Sequence, residues 1–334
     1  MLGSTNLDFK GENKMLNLTK QWDKVFPKSE KVHHRKVTFK NHFGIELAAD
    51  LYEPKEYEGK LRAVCVSGPF GAVKEQVSGL YAMKLAERGI LAIAFDPSYT
   101  GESGGEPRGI NSPDINTEDF QAALDYLTTL DNVDENRLGI IGICGFGGYA
   151  LNAAAIDTRT KGTVIVTMYD MSRVYNNDYN DINDNEEARF QKRLALSNQR
   201  TIDAKNGTYA RSEGIPKELP DDAPQFLKDY SAYYAHELGY HPRSIGSNGG
   251  WATQTFTSLN NTRILRFASE IRSPVLMIHG ENAHSLYFAK TAFESLTGDN
   301  KELMIIPNIR HTDLYYDLNV IPFDKIETFL KENL

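Results

Sequence analysis

The sequence predicts an α/β protein built on one mostly parallel sheet of eight strands. Three observations predict it: eight short apolar runs rich in β-branched residues, amphipathic helical patterns between most of them, and one long irregular stretch after the sixth run. Strand alternating with helix is the pattern of a parallel sheet, because a parallel connection needs a crossover long enough to hold a helix.

The runs are "RKVTFK" (35–40), "IELAADLY" (45–52), "RAVCVS" (62–67), "ILAIAF" (90–95), "RLGIIGI" (137–143), "GTVIVTM" (162–168), "SPVLMIHG" (273–280) and "ELMIIP" (302–307). The first two are joined only by the short "NHFG" turn, so the sheet is expected to begin with an antiparallel pair. Helical spacing of apolar residues follows in "KEQVSGLYAMKLAERG" (74–89), "NTEDFQAALDYLTTL" (116–130), "SLYFAKTAFESLTG" (285–298) and the terminal "FDKIETFLKENL". Residues 171–265 are polar, tyrosine-rich and too long for a plain loop, with helical patterns at "NEEARFQKRLALSNQR" and "APQFLKDYSAYYAHEL". They are read as a helical cap inserted into a core formed by 1–170 and 266–334.

Composition narrows the function classes. Apolar residues make up 40% and charged residues 25% of the 334 residues, and the net charge of −8 comes without an extended basic run, so a nucleic-acid partner is not expected. No apolar stretch approaches the ~18–20 residues of a membrane helix, so no membrane partner is expected. The first twenty residues carry no apolar leader core, and two cysteines, Cys65 and Cys144, make no disulfide framework; a cytoplasmic location fits both. No paired metal-ligand spacing and no dinucleotide fingerprint appears, so neither metal nor cofactor is expected, and with no nucleic-acid or membrane partner the expected partner is a small molecule. The totals leave room for a homodimer.

In an open parallel sheet the ligand site lies beyond the carboxyl ends of the strands. After the fifth run comes "GICGFGGYAL", in which Cys144 stands where strand turns into helix among Gly142, Gly145, Gly147 and Gly148. A nucleophile elbow needs small neighbours for its tight turn, and these glycines supply them. Phe146 departs from the usual pattern of a small residue two places after the nucleophile, yet Cys144 alone of the residues at the junction can attack a carbonyl. A helix starting at Gly145 is expected to lower the thiol pKa. Cys65, inside a strand, is expected to be structural.

A thiol nucleophile needs a base. His33, His34 and His42 fall in the N-terminal strands, His236 and His241 in the cap, and His279 and His284 at the end of the seventh run and in the loop after it. His311, in "PNIRHTDLYYD" after the last run, occupies the loop that returns to the elbow and is the expected base. For the acid that orients it, Ala283 stands where an aspartate is usual, which leaves Asp170 after the sixth run, slightly preferred, and Glu281 after the seventh. Oxyanion donors are expected from the backbone of Gly145 and of Phe70, since Pro69 has no N–H and Gly68 and Gly71 permit close approach. The cap tyrosines Tyr175, Tyr179, Tyr233 and Tyr234 suit a mixed apolar and polar pocket.

The segments "SGPFGAVKEQ", "AFDPSYTGESGGEPR", "GIIGICGFGGYALNAAAIDTR", "TMYDMSR", "LMIHGENAHS" and "LMIIPNIRHTDLY" together resemble the α/β-hydrolase superfamily, in its dienelactone-hydrolase-like branch. They are most similar to the YcjY-type bacterial hydrolases and more distantly to the fungal polyketide transferase and thiohydrolase group. The resemblance implies an α/β-hydrolase fold, a cysteine nucleophile and cleavage of esters or thioesters through an acyl-enzyme. Two other readings stand beside it: acyl transfer to an alcohol or amine acceptor, and a non-catalytic binding protein whose triad has decayed.

Overall fold

A single eight-stranded sheet organises the chain in a computed structural model that describes residues 16–334. The leaderless N-terminus read from the sequence lies mostly outside the described residues. The strands are β1 (Val32–Lys40), β2 (Glu46–Pro54), β3 (Leu61–Ser67), β4 (Leu91–Phe95), β5 (Val133–Ile143), β6 (Thr160–Val166), β7 (Val275–Gly280) and β8 (Lys301–Ile306), and they lie in the order β1-β2-β4-β3-β5-β6-β7-β8. β1 pairs with β2 and β2 with β4 antiparallel; every other neighbouring pair is parallel. The expected antiparallel start is therefore present, and it extends one pairing further.

Burial follows strand position. In β3 the side chains of Ala63, Val64, Cys65 and Val66 are all buried, whichever face they point to, because helices cover both faces of a parallel sheet. Edge strand β1 instead keeps only Val32 and Val37 buried, its other residues being half-buried or exposed.

Helices α1 (Val77–Ala86), α2 (Pro113–Thr128), α3 (Gly145–Ile156), α9 (Leu286–Ser295) and α11 (Phe323–Asn333) belong to the strand connections and the C-terminus; between β6 and β7 stand α4 (Met171–Asn177), α5 (Glu186–Asn206), α6 (Gln225–Tyr234), α7 (Ile245–Asn248) and α8 (Gln254–Asn260). A short α10 (Asp313–Tyr316) follows β8. Local chemistry sets several boundaries. Pro113 opens α2, where its missing N–H costs nothing, and Asn185 caps α5 by accepting from Ala188 N at 2.8 Å. No helix among the described residues is long and apolar enough to cross a membrane.

Register brings the strand ends together. Ser67 lies opposite Gly142, Ile143 opposite Val166, and Val166 opposite Ile278. The loops after β3, β5, β6, β7 and β8 therefore open along one edge of the sheet.

Candidate active site

Cys144 occupies the turn between β5 and α3 with φ 56° and ψ −125°, a backbone conformation that an L-residue adopts only under constraint. The constraint is visible. Its N–H donates to Val166 O at 2.9 Å, and its carbonyl accepts from Gly147 N and Tyr169 N, each at 2.9 Å. Gly142 makes room for the turn: a Cβ there would stand 2.4 Å from the Cβ of Ala150 and from the carbonyl of Phe146. The same packing accounts for Phe146, the residue that broke the elbow pattern. Its ring lies in the core against Phe120 and Tyr149, and its Cβ fits because Gly68 has none; a Cβ on Gly68 would come within 2.8 Å.

The backbone N–H groups of Phe70 and Gly145, the two expected donors, lie close enough to the Cys144 thiol to pull its pKa down. The loop carrying Phe70 is fastened from behind by Lys74, whose buried ammonium meets Glu75 at 2.8 Å and Asp96 and Glu102 at 2.7 Å each, while its own N–H donates to Asp96 at 2.7 Å. Arg243 adds a second cation at 2.7 Å from Glu75.

His311 is buried, and its two nitrogens have different partners. Nε2 lies 2.9 Å from the hydroxyl of Tyr315, a group near enough to the Cys144 thiol to lower its pKa. No hydrogen bond joins His311 to the sulfur directly; Tyr315, one turn further along the chain, stands between them. Nδ1 lies 2.6 Å from Ser285 Oγ and 2.9 Å from Thr167 Oγ1.

Neither expected acid reaches His311. Asp170 is the N-cap of α4 and accepts from Arg173 N at 3.0 Å and Ser172 Oγ at 2.6 Å, so its carboxylate is directed along that helix. Glu281 is exposed and accepts from Asn308 N at 3.1 Å. The position at His311 Nδ1 is filled by hydroxyls instead, Ser285 coming from the same loop as Ala283.

Cys144 and His311 lie buried among histidines and tyrosines, and burial sets their protonation. Burial pushes the Cys144 thiol up to about 11, although the hydrogen bonds from Tyr315, Phe70 and Gly145 pull the other way. The low thiol pKa expected from the helix start is not found, because desolvation outweighs it. Burial, with repulsion from His284 and His279, holds His311 well below its ordinary 6.5; burial likewise takes His279 and His284 down to about 4. Tyrosines complete the walls. Tyr169 and Tyr230 stack edge-on against His311, Tyr179 joins Tyr169 at 3.2 Å between hydroxyls, and Tyr234 hydrogen-bonds Tyr315. Of the other tyrosines between β6 and β7, Tyr175 packs on Phe70, while Tyr233 lies against Tyr315 and Tyr316 and over Gly239.

Sequence reasoning missed Tyr315, Ser285, Thr167, Tyr169 and Tyr230. One signal was present for Tyr315: it follows His311 by four residues, the spacing that brings side chains together on a helical turn. Cys65 is buried within β3, with its thiol pushed far up by burial, as a structural cysteine should be. Among the described residues no group of three His, Cys, Asp or Glu side chains could hold a metal ion.

An elbow on a strained residue, two backbone donors and a histidine after the last strand, set on this sheet, define an α/β-hydrolase-fold protein. Residues 44–313 match the X-Pro dipeptidyl-peptidase (S15) family, and the chain belongs to it. That family suggests a serine at the elbow, where this chain has Cys144. The dienelactone-hydrolase-like branch is not the family matched. Over 333 residues the chain is 52% identical to the uncharacterized protein PA2218 of Pseudomonas aeruginosa, covering 99% of this chain and 89% of that one. The crystal structure of PA2218 superposes with a TM-score of 0.93 over 96% of this chain and 100% of that chain. YcjY of Escherichia coli, also uncharacterized, is 34% identical over 84% of this chain and 92% of its own. A thiohydrolase of Eupenicillium brefeldianum is 31% identical over 42% of this chain and 44% of its own. The α/β hydrolase GrgF of a Penicillium species shares the fold, at 20% identity and a TM-score of 0.72 over 90% of this chain and 99% of its own.

Proposed function

We propose that the protein cleaves small acyl esters or thioesters through a thioester formed on Cys144, with Tyr315 passing the proton between Cys144 and His311. The observation that carries this reading is the sulfur itself, which sits on the elbow, under the N–H groups of Phe70 and Gly145 and hydrogen-bonded to Tyr315. As Sγ attacks the carbonyl carbon, its proton moves to Tyr315 and the phenolic proton of Tyr315 moves to His311 Nε2. The carbonyl oxygen takes the electron pair and is held by the two N–H groups. Collapse breaks the bond to the leaving group, which receives the proton back along the same path. Water then attacks the thioester by the same relay and releases the acid.

The starting pair is a thiol and a neutral imidazole, so no charge has to be stored in the chamber before substrate arrives. His311 Nδ1–H donates to Ser285 or Thr167, and no carboxylate steadies the imidazolium formed in transit. Amine leaving groups need the firmest proton donor, so esters and thioesters are preferred to amides, and the peptidase activity in the family's name is not carried over. Residues 171–265 act as the cap, with Tyr230 and Tyr234 of α6 closing the chamber over His311 and Tyr315.

The test is intact-protein mass spectrometry after brief exposure to a panel of acyl esters and thioesters. A mass gain equal to the acyl group, mapped to Cys144 and absent from Cys144→Ala, is expected. Turnover retained in Cys144→Ala would refute the reading, and a folded protein that binds acyl compounds without ever forming the adduct would identify a binding protein on a hydrolase fold.

A further inference from the structure

A groove lies on the side of α4 that faces away from Gly145 and Phe70. α4 divides its residues between its two sides: Met171 packs on Gly145 and Tyr175 on Phe70, whereas Ser172, Arg173, Asn176 and Asn177 face the groove, of about 940 Å³, between α4, α5 and residues 260–266. Five arginines line this groove, Arg173, Arg189, Arg193, Arg263 and Arg266. Two of them are neutralised, Arg173 by Asp181 at 2.9 Å and Arg189 by Asp184. Among the described residues Arg193, Arg263 and Arg266 have no carboxylate partner. Asp170, the remaining acid in the lining, is spent on capping α4.

Three uncompensated guanidiniums converging on one groove are unexpected in a chain of net charge −8, where surface cations have many acids to pair with. A second observation points the same way. Oδ1 of Asn260, also in the lining, is buried without a hydrogen-bond partner, an acceptor that a ligand O–H or N–H would satisfy. A monocarboxylate offers one planar edge and no donor. A phosphate ester or diphosphate presents several oxygens to several guanidinium forks at once, and the molecule that carries it brings hydroxyl or amide donors.

We propose that this groove binds a phosphate-bearing small molecule. The ligand sits across α4 from Cys144 and is held by Arg193 and Arg263, with Arg266 at the rim. The shared chemistry, phosphate oxygens on guanidinium, has two sources: the charged part of a carrier thioester such as coenzyme A, or a free inorganic anion.

The test is isothermal titration of the whole protein, in a buffer free of phosphate and sulfate, with three probes: coenzyme A, inorganic pyrophosphate and unphosphorylated pantetheine. Both phosphate probes, or either alone, should bind the wild type, with affinity falling as salt is raised, and pantetheine should not. Coenzyme A alone assigns the carrier as the source, and pyrophosphate alone assigns the free anion. Arg193→Glu with Arg263→Glu, both at exposed positions, should weaken that binding by at least about 10-fold while melting temperature and turnover of an uncharged ester stay as in the wild type. Equal affinity in wild type and double variant, pantetheine binding as tightly as coenzyme A, or no binding of either phosphate probe would overturn the proposal. Acylation of Cys144 in the double variant is a separate readout, so failure here leaves the chemistry at the elbow untouched, and the reverse.

Discussion

Two buried polar regions flank the loop that carries Phe70, and they solve the problem of burial in opposite ways. Behind the loop, Lys74, Glu75, Asp96, Glu102, Lys36 and Arg243 form a cluster in which charge is matched by charge. In front of it, Cys144, His311, His284, His279 and the tyrosines form a buried group in which, among the described residues, the hydrogen-bond partners of His311 are hydroxyls and no carboxylate. In the cluster, three carboxylates hold the Lys74 ammonium charged in spite of burial. In the buried group no carboxylate meets His311, so burial drives the thiol up and the imidazoles down until all are neutral. The difference teaches what each region does. Fixed charges lock the loop that carries Phe70, whereas in the proposed reaction the neutral groups receive a substrate carbonyl, whose oxygen the N–H groups of Phe70 and Gly145 would hold.

Breaking the cluster should produce the largest effect. Lys74→Met removes the cation and leaves three carboxylates buried, which should cost about 3–5 kcal/mol of stability. Denaturant unfolding of the variant measures it. A loss below about 1 kcal/mol would show that water enters the cluster and screens the acids.

Breaking the relay should cost activity and little stability. Tyr315→Phe keeps the ring that packs on Tyr233 and His311 but removes the hydroxyl between His311 and Cys144. kcat/KM for an ester should fall by about 100-fold or more, with stability changed by about 1 kcal/mol. Activity unchanged in this variant would mean that His311 closes directly on the sulfur when substrate is bound.

The two regions also differ in how far the sequence disclosed them. Eight strands, the antiparallel start, the turn that carries Cys144 and the place of His311 after the last strand were legible because each rests on local pattern: β-branched runs, glycines at a turn, a histidine after a strand. The places of Phe70 and Gly145 beside the thiol were legible because backbone groups depend on position in the fold and hardly on side chains. The orienting group at His311 was not. Sequence rules look for a carboxylate at the place of Ala283, whereas Ser285 and Thr167 are what lies at Nδ1, common hydroxyls with no signature until the ends of β6 and β7 are set side by side. The thiol pKa was misread for a related reason. A helix start is visible in sequence, but the tyrosine shell that desolvates Cys144 comes from residues 169, 230, 234 and 315, brought together only by folding.

The smallest effect is expected from pH, and its smallness is the point. If the reactive form is thiol plus neutral imidazole, kcat/KM for an uncharged ester falls on the acid side only when His311 takes a proton. Burial and the neighbouring His284 and His279 oppose that proton, so the acid limb lies well below 6.5. On the alkaline side the thiol ionises only near 11. Between these limits the profile should be flat, without the rise through 6.5 that a solvated histidine gives. Ser285→Asp then turns the chamber towards the chemistry of the cluster. A carboxylate placed at Nδ1 favours the imidazolium, raises the pKa of His311 and must move the acid limb upward. A profile that already rises through 6.5 in the wild type, or that Ser285→Asp leaves unmoved, would show that His311 is not the group whose proton governs the reaction.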